Sequence, residues 1–301
     1  MAQNPPQEAG CFRESYPSLV HERVDCYAGP LRVHAAHRTP TDDVPDAVGN
    51  RYDYVAETKG KTFWAGGNFL DVSVISEASV GGGSGAIDGP NEYTLQINTN
   101  DWGKTAVCDG GPPACHVWQQ FVYGTDSICF FRYCQGAVFI QYWLINYGDC
   151  PNSSWTQFGQ DCYITSDKVT PAPDFPVTDL ANVSFHAAVK SGGQDCAHVY
   201  NNTGAGWGVC EPDYKLDISS VWDKTEFGIF GDGDSSQAQF YGRTAFTELL
   251  QVNDGSGDAP KCLGPKNAGT TGETNDLTLG KKCQELVGNG LWPRIRFTES
   301  N

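Results

Sequence analysis

Twelve cysteines fall along this chain in six near-neighbour couples, and that spacing constrains the fold more than any other feature. Cys11–Cys26, Cys108–Cys115, Cys129–Cys134, Cys150–Cys162, Cys196–Cys210 and Cys262–Cys283 would each close a loop of about 4–20 residues, as stapled hairpins in an oxidising compartment do. This neighbour pairing is the simplest of many connectivities. A zinc site would need C-x-x-C or Cys/His knuckles, and the sequence has neither, so disulfides are expected, with no metal and no cofactor. A stapled chain with 35 glycines and 17 prolines among 301 residues leaves no room for long helices. Coiled coils and helical bundles are excluded.

Twenty basic residues against 36 acidic ones give a formal net charge of −16. That balance argues against nucleic acid or an anionic membrane as partner, since both demand a basic surface. No apolar run reaches transmembrane length. Met1 is the only methionine and Ala-Gln-Asn-Pro-Pro follows it, which reads as a mature secreted chain behind a start codon. Sequons at Asn152, Asn182 and Asn201 are compatible with a secreted glycoprotein. The expectation is an extracellular, acidic monomer.

Residues 1–60 are rich in Pro, Arg and Asp and read as an N-terminal arm packed on a main body of residues 61–301. Within that body, short strand-like runs alternate with turn chemistry. The clearest are Phe69–Ser76, Glu92–Thr99, Val117–Tyr123, Ala137–Tyr147, Val183–Lys190, Phe227–Phe230, Thr244–Val252 and Ile295–Thr298. The stretch 254–283 is polar and Gly-rich, an extension of the body. One helical turn is expected at Ile218–Lys224. The fold class is therefore all-β, a disulfide-rich β-sandwich of the jelly-roll or concanavalin-like kind.

The sequence lacks G-x-S-x-G, H-E-x-x-H, Walker and G-x-G-x-x-G signatures. His34 and His37 read as loop residues, and His186 as a packed strand residue. The Asp232-Gly-Asp234-Ser-Ser loop offers calcium-like oxygens but lacks the rest of an EF-hand loop, so it reads as an acidic turn.

Two runs, 115–124 and 137–148, are dense in aromatics and amides. Alternation sets Trp118, Gln120 and Val122 against Val117, Gln119, Phe121 and Tyr123, and sets Gln141 and Trp143 against Ile140, Tyr142 and Leu144. Both faces are largely apolar, which fits a sheet with one face in a core and the other lining an aromatic cleft. It fits equally a strand buried on both sides, with its glutamines satisfied by neighbours. A third run, 222–233, places Glu226 on one face with Gly228 and Phe230. A glycine there would let another backbone approach closely.

On these runs the chain resembles the glutamic peptidases, both the neprosin-type family and the eqolisins. The segments that carry the resemblance are EYTLQINTN (92–100), VWQQFVYG (117–124), FIQYWLINYG (139–148), the Cys-bounded loop 150–162 and TEFGIFGDG (225–233). The likeness is pattern-level and covers about residues 92–252. Neprosin-type proteins carry a glutamate where this chain has Gln119-Gln120, whereas eqolisins use a glutamine; the glycine two residues beyond is replaced by Phe121 or Val122. The resemblance implies a secreted, acid-acting endopeptidase with Glu226 as general base and Gln120, or Gln119 if a bulge shifts the register, as oxyanion donor. Trp118, Gln141, Tyr142, Trp143 and Gly228 would line the subsites for an extended polypeptide. In this reading Gln119 turns into the sandwich core. Two alternatives stay open: a lectin-like sandwich that binds glycans through its aromatics, and a secreted relative without catalysis.

Overall fold

Alternation of apolar and polar side chains sorts the strands into two large antiparallel sheets that share one core. The computed structural model describes residues 6–15, 20–28, 53–83, 88–99, 103–130, 133–264, 272–287 and 292–301. The first sheet runs in the order Val20–Val24, Gly10–Ser15, Ala205–Pro212, Gln194–Asn201, Val183–Val189, Trp64–Ser73, Ala245–Asn253, Arg294–Ser300 and Thr278–Leu279; Gln284–Leu286 also pairs with Arg294–Ser300. The second runs Thr156–Phe158, Asp161–Thr165, Tyr133–Ile145, His116–Phe130, Tyr93–Thr99, Lys224–Gly231, Val55–Glu57 and Lys261–Leu263, with Thr170–Pro171 beside Tyr133–Ile145. A small third sheet joins Thr274–Asn275, Gln237–Tyr241, Ser76–Val80 and Gly89–Pro90.

The facing sides meet in one apolar cluster. The second sheet contributes Leu95, Ile97, Val117, Phe121, Val138, Ile140, Phe227 and Ile229; the first contributes Phe69, Phe185, Val199, Val209, Leu250 and Ile295. Each of these is 1% exposed or less, and truncating one of the Phe side chains would cost about 3–5 kcal/mol. Among the described residues the helical elements are short 3-10 turns, such as Ala106–Cys108 and Val177–Asn182.

All six cysteine couples are disulfides, with no free cysteine. Among the described residues no helix is long and apolar enough to cross a membrane. Together these are compatible with an extracellular protein.

The strands depart from expectation in instructive places. The expected Phe69–Ser76 strand is Trp64–Ser73, and a separate strand, Ser76–Val80, enters the small sheet. The expected helical turn at Ile218–Lys224 is a 3-10 turn over Ile218–Ser220, and Lys224 already begins a strand. Gln194–Asn201 and Ala205–Pro212 are among the strands that lie outside the expected runs. Gly206 and Gly208 make the second of these look like a loop, but they are glycine because neighbours fill their side-chain space. A Cβ on Gly208 would lie 2.2 Å from His198 Nδ1, and one on Gly206 would lie 2.4 Å from the Tyr200 ring. The N-terminal arm supplies strands to both large sheets, Gly10–Ser15 and Val20–Val24 to the first and Val55–Glu57 to the second. His34 and His37 lie outside the described residues.

Candidate active site

One polar row crosses the outer face of the second sheet. Strand register sets Glu226 opposite Asn98, Asn98 opposite Gln120, Gln120 opposite Gln141 and Gln141 opposite Thr165. Period-2 alternation fixes this face, because Phe227, Ile97, Phe121 and Ile140 on the neighbouring positions turn into the core. Glu226 and Gln120 therefore share a face with one strand between them, a separation of about 10 Å between their Cα atoms for two strand spacings.

Side chains knit the row together. Asn98 Nδ2 donates to Glu226 Oε2 at 2.9 Å. Trp143 Nε1 donates to Gln120 Oε1 at 2.9 Å, which fixes the oxygen end of that amide. Its Nε2 donates to Gln96 Oε1 at 3.2 Å, and Gln96 Nε2 continues the chain to Thr94 Oγ1 at 3.0 Å. Gln141 Nε2 donates to Thr165 Oγ1 at 3.1 Å. Beside the amides runs an aromatic lane: Trp118 and Trp143 have ring centroids 5.9 Å apart, and Tyr163 stacks on Trp143 at 5.0 Å. Glu226, Gln120, Gln141, Trp118 and Trp143 are all shielded from solvent.

The remaining expected site residues fall elsewhere. Gln119 points inward and donates from Nε2 to Asp195 Oδ2 of the first sheet at 2.9 Å. Tyr142, expected on the cleft wall, lies on the inner face with Ile140 and Leu144, because it alternates with Gln141 and Trp143. Its hydroxyl is pushed up by burial and by the nearby charges of Asp195 and Glu211, and the Lys215 ammonium sits 5.1 Å from its ring. Gly228 leaves room for side chains rather than for another backbone. A Cβ there would meet Asp53 Oδ2 and the Phe230 ring at 3.1 Å.

Asn98 and Gln96 were missed from the sequence. Their signal was present in the alternation Thr94-Leu95-Gln96-Ile97-Asn98, where polar residues occupy every second position of a strand that is buried on both faces.

Comparisons with protein-family models, characterised proteins and solved structures return no match for this chain.

Proposed function

We propose that the chain is a secreted hydrolase of the glutamic-peptidase kind, built on a jelly-roll-like sandwich and acting on extended polypeptide. The observation that supports it best is the single row holding Glu226 and Gln120 on one face, with Asn98 anchoring the carboxylate between them. In this reading Glu226 removes a proton from a water as the water oxygen attacks the scissile carbonyl carbon. The carbonyl π electrons move to oxygen, where the Gln120 amide donates a hydrogen bond worth ~2.7–4 kcal/mol in the transition state. Glu226 then returns the proton to the amide nitrogen as the C–N bond breaks. The Trp143 bond holds Gln120 Oε1, which leaves Nε2 as the donor; it is turned to Gln96 Oε1, and in this reading the substrate oxygen takes the place of Gln96. A substrate reaches the row only by displacing what shields it.

The test is digestion of casein from pH 3 to 8. Glu226→Gln should abolish cleavage, and Gln120→Ala should lower kcat by about 10²–10³, the cost of one oxyanion donor. A wild-type chain that cleaves no polypeptide across that range overturns the proposal.

A glycan-binding reading has one observation of its own. A groove of about 550 Å³ on a different surface is lined by Trp155, Tyr214, Asn152, Asp167 and Lys215, and Tyr214 is 76% exposed. An aromatic ring bordered by amide and carboxylate groups suits a sugar face. Binding of an oligosaccharide that is lost in Tyr214→Ala, without any proteolysis by wild type, would favour this reading.

A further inference from the structure

Asn152 opens the sequon Asn152-Ser153-Ser154 inside the loop that the Cys150–Cys162 bridge closes. The Ser154 N–H donates to Asn152 Oδ1 at 2.9 Å, and the Trp155 N–H donates to the Asn152 carbonyl at 3.2 Å. The two bonds make an Asx turn that brings Asn152 and Trp155 to one groove, which both line. Gln157 braces the loop from its other arm. Its Nε2 donates to the carbonyls of Gly148 and Gly159, and its Oε1 accepts from the Cys150 N–H. Asn152 is exposed, and with Oδ1 engaged by Ser154 its Nδ2 donates to none of the described residues.

The groove holds about 550 Å³, and Tyr214, Asp167 and Lys215 line it as well. That is room for about two pyranose rings. Tyr214 is 76% exposed, so its ring lies open to whatever enters. Asp167 is exposed beside it, while the Lys215 ammonium is already held by Glu211 at 3.1 Å. A sugar presents a C–H face that lies on an aromatic ring and hydroxyls that bond to a carboxylate. One sugar has an advantage over any other. A sugar tethered to the groove's own rim is present at an effective concentration on the order of millimolar, so weak stacking is enough to seat it.

We propose that Asn152 is an N-glycosylation site and that the first sugars of its glycan lie in this groove against Tyr214 and Trp155. The transfer takes a lipid-diphosphate-linked oligosaccharide as donor. Asn152 Nδ2 bonds to the anomeric carbon, and the bond from that carbon to the phosphate oxygen breaks. The lipid diphosphate leaves with that electron pair, and Nδ2 gives up one proton. The inference does not depend on the hydrolytic reading. It also gives the groove an occupant attached to the chain, where the glycan-binding reading gives it a free one.

The experiment is secretion of the full chain from a eukaryotic cell, glycopeptide mapping, and release of the glycan from the native protein by an amidase that cuts at the Asn–sugar bond. Wild type should carry a glycan on Asn152. Tyr214→Ala removes an exposed side chain, so folding and occupancy should be unchanged. Native release from that variant should be about three- to tenfold faster than from wild type, the weight of one aromatic contact that must open before cleavage. After denaturation the two chains should release the glycan at equal rates. An unoccupied Asn152 overturns the site. Equal release from the two native chains, or a difference that persists after denaturation, overturns the seating of the sugar in the groove.

Discussion

Glu14 on the outer face of the first sheet and Glu248 on its core-facing side are both buried carboxyls, yet their surroundings drive them in opposite directions. Glu14 Oε1 meets His21 Nδ1 at 2.8 Å and His198 Nδ1 at 2.9 Å, and the Tyr200 hydroxyl donates to Oε2. Burial alone would push Glu14 up, but His198, Tyr200 and His21 outweigh it and hold the carboxyl at about 2. Glu248 shares its face with Leu250 and Val252, and its neighbours are other acids. Burial, then Asp53, then Glu226 push it well above the ordinary range, and Glu299 is raised by burial and by Glu248. Depth does not distinguish these two regions; partner chemistry does. One holds a charge in place with imidazoles, and the other holds a proton between carboxyls.

The largest effect should come from breaking the charged cluster. Glu14→Ala removes the shared acceptor of two imidazoles and a phenol, which should cost on the order of 3–5 kcal/mol, as breaking a buried ion pair does. Urea unfolding at pH 7 reads this directly. A loss below about 1 kcal/mol would mean that the cluster is not held by charge, and the contrast with Glu248 would collapse.

The next effect is on the pH profile, where the two regions pull in opposite directions. Glu248 and Glu299 have folded pKa values above their unfolded ones, so the folded chain keeps protons that the unfolded chain releases. Their stabilisation is complete below the unfolded pKa, about 4.3, and declines above it by about 1.4 kcal/mol per pH unit for each proton kept. Glu14 has the reverse sign: its contribution is present above about pH 4.3 and disappears as the pH falls toward 2. His186, held down at about 3 by burial and by His198, acts in the same sense as Glu14. Below about pH 6.5 the unfolded chain takes up a proton that folded His186 refuses, so stability falls with the pH. Denaturant unfolding from pH 3 to 8 should show a maximum on the acid side of neutrality. Glu248→Gln should flatten the limb above the maximum and leave the limb below it unchanged. Equal flattening of both limbs would break the comparison.

The pairing of these regions explains what the sequence could and could not show. Cysteine spacing gave the six bridges, because each closes a local loop whose strands are neighbours in the fold. Period-2 alternation separated Gln120 from Gln119 and linked Gln120 to Trp118, since parity is a local property of a strand. It also argued against putting Tyr142 beside Trp143, and the expected subsite list ignored that. The Glu14–His198 cluster was not legible at all. Its members come from Gly10–Ser15 and Gln194–Asn201, strands far apart in sequence that meet only through Ala205–Pro212. The glycines that make room for His198 and Tyr200 gave that middle strand the look of a loop. Asn98 differs: the alternation of its strand marks a polar side, although the strand is buried on both faces.

The smallest expected effect concerns Asp195, which tests whether a single neutral partner is enough to reverse a buried acid. Asp195 lies on the core-facing side of Gln194–Asn201 and accepts from Gln119 Nε2. Burial and the Asp213 charge push it well above the usual carboxylate range, and the Gln119 bond, which acts the other way, does not overcome them. Asp195 therefore belongs with Glu248 despite its hydrogen bond, because an amide supplies a dipole where Glu14 receives imidazole charge. Asp195→Asn keeps an oxygen for Gln119 and removes the group that must stay protonated. At pH 4 the variant should match wild type within about 1.5 kcal/mol, as volume-conserving changes in a core do. At pH 7 it should be the more stable of the two, with the slope above pH 5 reduced by about 1.4 kcal/mol per unit, one proton's worth. If the slope is unchanged, Gln119 holds Asp195 as an anion, and a neutral donor does for a buried carboxylate what two histidines do for Glu14.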